Sequence, residues 1–135
     1  MNQESIIITD SAKKIAIDVI DLAKKLITDG GPLSPFMVVD KNGGGKIIAF
    51  ESETLEEAVA KAKEAAEKIK GHVDSYAIAY DAKLTISGEK KDAIIVEVGE
   101  SGKLYIFAQC YSSVTDGAVS FLGNPKFLAG KAEFR

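Results

Sequence analysis

Between Ile8 and Leu26, apolar residues recur at three- and four-residue steps: Ile8, Ala12, Ile15, Val19, Leu22 and Leu26. On a helix that spacing makes one stripe, with Asp18, Asp21, Lys24 and Lys25 mostly on the other side. The pattern predicts a helix over residues 5–28, ended by Gly30-Gly31-Pro32, because glycine suits a left-handed cap and proline cannot continue a helix. Thr54-Leu55-Glu56-Glu57 is a capping box and opens a second helix. Its inner face reads Leu55, Ala58, Val59, Ala62, Ala66 and Ile69, and Gly71 closes it. So small a face implies close packing on something flat.

The rest of the pattern is strand-like. Short apolar runs span 35–40 and 46–51, and longer ones span 73–86, 92–98 and 103–112. The tail from Gly117 to Arg135, broken by Gly123-Asn124-Pro125, has room for one or two further short strands. The order is αββαβββ. Strands joined by tight turns pair antiparallel. We therefore expect an α+β single domain over 1–135, a central antiparallel sheet of about five strands with helices packed on it.

The stretch VVDKNGGGKIIAF (38–50) looks at first like a phosphate loop. A phosphate loop needs a helix after its glycines, GxxxxGK spacing, and Ser or Thr after the lysine. Here Lys46 runs into Ile47-Ile48-Ala49-Phe50, and Asn42-Gly43 is a strong hairpin signal. The stretch is a turn between two strands.

Alternation within strands sets the expected faces. Tyr76, Ile78 and Tyr80 share one face of their strand, and Tyr105, Phe107, Gln109 and Tyr111 share one face of theirs. Grouping Ala77, Ala79, Ala108 and Cys110 as a small face for the second helix leaves Tyr76, Tyr80, Tyr105, Gln109 and Tyr111 on an opposite, aromatic face. One helix about 10 Å wide covers about half of such a sheet. A contiguous apolar surface of that size is rarely left bare. A second copy of the chain or a small ligand is expected to cover the remainder. Gln109 needs hydrogen-bond partners there, and Asp81 is the nearest acid. Tyr76, Tyr80, Asp81, Tyr105, Gln109 and Tyr111 form the candidate ligand-binding set.

Composition narrows the function. A length of 135 residues suits one core. Charged residues make up 27%, with net charge −3 and sixteen lysines against one arginine. The lysines alternate with acids rather than forming a basic stripe, which argues against nucleic-acid binding. No apolar run reaches membrane-span length, and the start MNQESIIITDSAKK has no signal-peptide pattern. With a single cysteine, a cytoplasmic location is expected.

Catalytic chemistry finds little support. His72, the one histidine, follows a helix end, where an imidazole interacts well with the dipole. A Cys110–His72 dyad competes with a small buried cysteine, and Ser113, Asp116 and His72 lack the strand–turn–helix setting of a nucleophile elbow. Scarce histidine and cysteine leave no metal site assigned, and no cofactor is implied.

The αββαβββ order over residues 5–112 resembles the profilin-like sandwich of roadblock-type dimerisation proteins and longin domains. That resemblance implies helices on both sheet faces and a non-enzymatic interaction module. The chain departs from it after residue 117, where those families carry a third helix. Tyr76-Ala77-Ile78-Ala79-Tyr80-Asp81, with Asp92-Ala93-Ile94-Ile95-Val96-Glu97 and Phe107-Ala108-Gln109, is similar to a pattern in small bacterial proteins of uncharacterised function, which implies a bacterial source and no activity. The expectation is a homo-oligomeric interaction module, with a small-molecule binder around Gln109 as the alternative.

Overall fold

The computed structural model describes residues 8–28, 33–41, 44–100, 102–113 and 119–132. Two helices pack on an antiparallel sheet, an α+β fold with more strands than the five expected. The elements are α1 (Asp10–Thr28), β1 (Phe36–Lys41), β2 (Gly44–Ala49), α2 (Leu55–Ile69), β3 (Ser75–Ile86), β4 (Glu89–Glu100), β5 (Lys103–Ser113), β6 (Val119–Phe121) and β7 (Lys126–Ala132). Strand order is β2-β1-β3-β4-β5-β6, and β7 also pairs with β5. Thus β6 and β7 share the edge of β5 that faces away from β4, β6 along 111–113 and β7 along 103–108. The extra strands come from the tail, which had room for one or two short strands and forms both as a broken edge strand on β5.

Helix α1 begins later than its periodicity suggests. Thr9 is its cap: the Ala12 amide donates to Thr9 Oγ1 at 3.1 Å, and the Lys13 amide to the Thr9 carbonyl at 3.1 Å. Ile8 continues the apolar stripe but lies before the cap, packed on the core. The Gly30-Gly31-Pro32 stop lies outside the described residues. Helix α2 starts as its capping box requires, with the Glu57 amide donating to Thr54 Oγ1 at 3.1 Å. Its buried residues are Ala58, Ala62 and Ala66, while Leu55 is exposed at the first turn.

The β1–β2 ladder runs from Phe36↔Ala49 to Lys41↔Gly44, so the connection is Asn42-Gly43, which lies outside the described residues. Lys46 is a strand residue opposite Val39. The β3–β4 ladder closes at Ile86↔Glu89 through Ser87 (φ 53) and Gly88 (φ 82), a mirror-image two-residue turn.

The helices lie on opposite faces. Core side chains under α1 include Phe36, Ala77, Ala79, Val96, Val98, Tyr105 and Phe107. Those under α2 are Met37, Tyr76 and Ile78, which pack on Ala62 and Ala66. A third cluster, with Ala93, Ile95, Ala108 and Cys110 as its buried members, continues the α2 side across β4 and β5.

Candidate functional site

The ladders divide the six candidate residues between two faces. Tyr76 pairs with Gly99, and Gly99 pairs with Leu104; Ala77 pairs with Val98, and Val98 with Tyr105. Directly opposed residues point to the same side of a sheet. Tyr76 and Tyr80 therefore share the α2 side with Ala108 and Cys110. Asp81, Tyr105, Gln109 and Tyr111 lie on the α1 side with Ala77 and Ala79. The alternation within each strand is as expected, but its phase between β3 and β5 is the reverse. Two successive two-residue turns set that phase: each preserves the face of directly opposed residues, so even positions of β3 meet even positions of β5.

The aromatic α1 side is not left bare. Tyr105, Phe107 and Tyr111 are buried. Phe121 of β6 packs on Tyr111 with ring centroids 6.2 Å apart, and Phe127 of β7 packs on Phe107 at 5.4 Å and Tyr105 at 6.5 Å. The tail strands supply the cover that was expected from a second molecule.

Gln109 is fully enclosed at 0% exposure. Its Nε2 donates toward three carbonyls: Cys110 at 3.1 Å, Gly123 at 3.1 Å and, more weakly, Leu122 at 3.4 Å. The amide thus ties β5 to the β6–β7 turn. A cluster of acceptors fixes which end of the amide faces them, so Oε1 points elsewhere, and it has no hydrogen-bond partner among the described residues. Tyr111 Oη donates to both Asp81 oxygens at 2.8 and 2.9 Å. Burial holds the Asp81 carboxyl above its ordinary value; the Tyr111 hydrogen bond opposes this and the Asp92 charge adds to it. Asp92 itself pairs with Lys83 at 2.5 Å.

The α2 side holds a group that the sequence reading overlooked. Buried Glu97 accepts from Tyr80 Oη at 2.5 Å and pairs with Lys63 at 3.3 Å, while Lys63 Nζ stands 5.6 Å from the Tyr80 ring centroid. The available signal was alternation: Glu97 shares a strand face with Ile95, and a carboxylate inside an apolar run requires partners. Burial first, then the bond to its carboxylate, pushes the phenols of Tyr80 and Tyr111 well above their ordinary range. Near neutral pH both act as hydrogen-bond donors, not as proton-transfer bases.

The nucleophile candidates are not drawn together. His72 is exposed and its amide donates to the Ile69 carbonyl at 2.8 Å, while Cys110 is buried. Asp116 lies outside the described residues. Among the described residues no group of three His, Cys, Asp or Glu could hold a metal ion, and no helix is long and apolar enough to cross a membrane.

Two surface features remain. Of the large apolar side chains exposed among the described residues, three fall in or beside the tail strands β6 and β7: Leu122 (38%), Phe127 (38%) and Leu128 (45%). Lys24 Nζ stands 5.1 Å from the Phe121 ring centroid, so that flank of α1 faces β6. Ile17, two helical turns before Lys24, shares the flank and is 51% exposed. At the other edge of the sheet, next to β2, a groove of about 310 Å³ has Leu33, Pro35, Phe50 and Leu55 as apolar lining with Glu51 and Glu53 beside them.

Neither a protein-family model, nor a curated protein, nor a solved structure matches the chain.

Proposed function

We propose that the chain is a non-enzymatic interaction module that self-associates through the β6/β7 edge and the α1 flank beside it. The observation that supports this is that Leu122, Phe127 and Leu128, in and beside β6 and β7, are exposed, as is Ile17 on the α1 flank that carries Lys24. Lys126 in β7, and the register shift opposite Ile106 and Phe107, protect the strand against edge-to-edge pairing. The contact is therefore made by side chains, not by an extended ladder. The αββαβββ resemblance to profilin-like dimerisation modules points the same way, the single cysteine suits a cytoplasmic location, and the resemblance to small bacterial proteins implies a bacterial source. Leu128→Asp changes an exposed position, so the fold should survive and association should weaken. Association unchanged in that variant would remove this edge from the reading.

One observation favours a second reading, a small-ligand binder on the α1 side: the buried Gln109 Oε1 has no hydrogen-bond partner among the described residues. A ligand donor reaching that oxygen would have to open the packing of Phe121 or Tyr111. In a thermal-shift screen, a stabilising compound should lose its effect in Gln109→Leu. Stabilisation that persists there excludes the site.

A further inference from the structure

We infer that the opposite edge of the sheet, strand β2, pairs antiparallel with β2 of a second copy around a twofold axis at Ile47. This goes beyond the contact proposed above and uses a separate surface. Among the described residues no strand pairs with the outer side of β2. The two edges of the sheet differ in how they discourage pairing. Strand β6 is three residues long and β7 carries a register shift. Strand β2 has no proline and pairs with β1 in unbroken register from Gly44 to Ala49. Ile47 is also the most exposed of the large apolar side chains among the described residues, at 61%.

The backbone fixes which groups are open. The Phe50 amide donates to the Pro35 carbonyl at 2.9 Å, so alternate pairs along the same ladder, Met37↔Ile48, Val39↔Lys46 and Lys41↔Gly44, exchange the bonds between β1 and β2. The amides and carbonyls of Gly45, Ile47 and Ala49 therefore point outward. That set is self-complementary. With Ile47 opposite its own copy, Gly45 falls opposite Ala49 of the second copy and Ala49 opposite its Gly45, so every outward group of both strands is matched. Another strand could bond the same groups, but a second copy also suits the side chains. Ile47 lies on the α1 side with Val38, which packs on the core there. It meets the second copy's Ile47 between the small residues Gly45 and Ala49. Lys46, the one charge in β2, falls opposite the second copy's Ile48 and not opposite another lysine. Centring the pair on Lys46 would oppose the two lysines, which is unfavourable. Centring it on Ile48 carries Gly45 past the end of the other strand.

The test uses the full chain carrying Leu128→Asp, which disables the β6/β7 contact, beside the wild-type chain. In sedimentation velocity the Leu128→Asp chain should still dimerise. Adding Ile47→Lys or Ile47→Glu, each at an exposed position, should weaken that dimer about tenfold or more, because like charges then face each other across the axis. Mixing the two in equal amounts should restore the dimer, since opposite charges then meet. Residue-resolved hydrogen exchange reads the contact with Ile47 intact. The amides of Gly45, Ile47 and Ala49 should slow about tenfold from low micromolar to near-millimolar protein, while those of Lys46 and Ile48 stay protected at both. Association that vanishes with Leu128→Asp alone overturns the β2 contact and leaves the β6/β7 contact standing. A mixture that stays monomeric, or exchange at the three outward amides that ignores concentration, also overturns the β2 contact. Association untouched by Leu128→Asp but lost with either Ile47 change keeps the β2 contact and removes the β6/β7 one. A wild-type monomer at every concentration overturns both.

Discussion

Gly99 lies in the middle of the sheet directly opposite Tyr76, and replacing it with alanine should destabilise the protein although alanine is the smaller perturbation by every propensity scale. A Cβ built at Gly99 would stand 2.3 Å from Tyr76 Cε2, 2.4 Å from Cζ and 2.7 Å from Oη. Carbon atoms pack best at about 3.5–4.0 Å, so the ring would have to retreat by more than 1 Å. It has little room, since Tyr76 is buried in the cluster that holds Ala62, Ala66 and Ile78. Overpacking of this kind costs about 1–3 kcal/mol, against a gain of about 0.5–1 kcal/mol from replacing glycine in a strand. With about 2.1 cal/mol/K of unfolding entropy per residue, a net loss of about 1–2 kcal/mol over a chain of 135 residues lowers Tm by roughly 4–7 °C. Calorimetry of Gly99→Ala measures this. The decisive companion is Tyr76→Val, which removes the ring atoms. In that background Gly99→Ala should become neutral or stabilising. A wild-type-like Tm for Gly99→Ala, or an equal loss in both backgrounds, would refute the ring as the cause.

Three further outcomes follow from the side-chain geometry. Asp81 has its folded value raised above 3.8, so the folded state holds the proton more tightly than the unfolded state; stability from this group grows as pH falls from neutral through the folded value and levels off below 3.8. Asp81→Asn, whose carbonyl can still accept from Tyr111, should flatten that part of the urea-stability profile, and parallel profiles would contradict the assignment. Tyr80 and Tyr111 have raised phenol values, so their contribution is intact below the ordinary value of 10.0 and is lost as pH rises beyond it; in an ultraviolet titration of the four tyrosines, these two should ionise only as the fold is lost. Thr9→Ala removes the α1 cap and the 2.6 Å bond from Thr9 Oγ1 to Glu100, and should cost about 0.5–2 kcal/mol in urea unfolding.

Much of this fold is written locally. The capping box at Thr54 marks the start of α2 because the residues that satisfy the first amides are adjacent in sequence. Asn42-Gly43 marks the first hairpin for the same reason. The start of α1 is harder to read, since Ile8 fits the apolar stripe although Thr9 already caps the helix. The phase between β3 and β5 was available from Ser87-Gly88 and Ser101-Gly102, but only by carrying the two-residue turns through to the ladders. Without that step, Tyr76 and Tyr80 join Gln109 on one imagined face instead of lying across the sheet from it. Strands β6 and β7 are poorly legible because one is three residues long and the other is offset by a bulge; their pairing depends on a distant partner, β5. That also hid the real exposed surface. Phe121 and Phe127 pack on the aromatic side, and the exposed apolar residues there are Leu122, Phe127 and Leu128 of the tail. Gln109 was legible as an amide that needs partners, whereas its three acceptors belong to the tail turn and to its own strand.

The most direct test of self-association is light scattering coupled to size exclusion, with the wild-type chain loaded from low micromolar to near-millimolar concentration. A mass that exceeds the 14.4 kDa of one chain and rises with loading is the expected result. A mass that stays at one chain across the whole range would contradict self-association and leave the β6/β7 surface to a different partner.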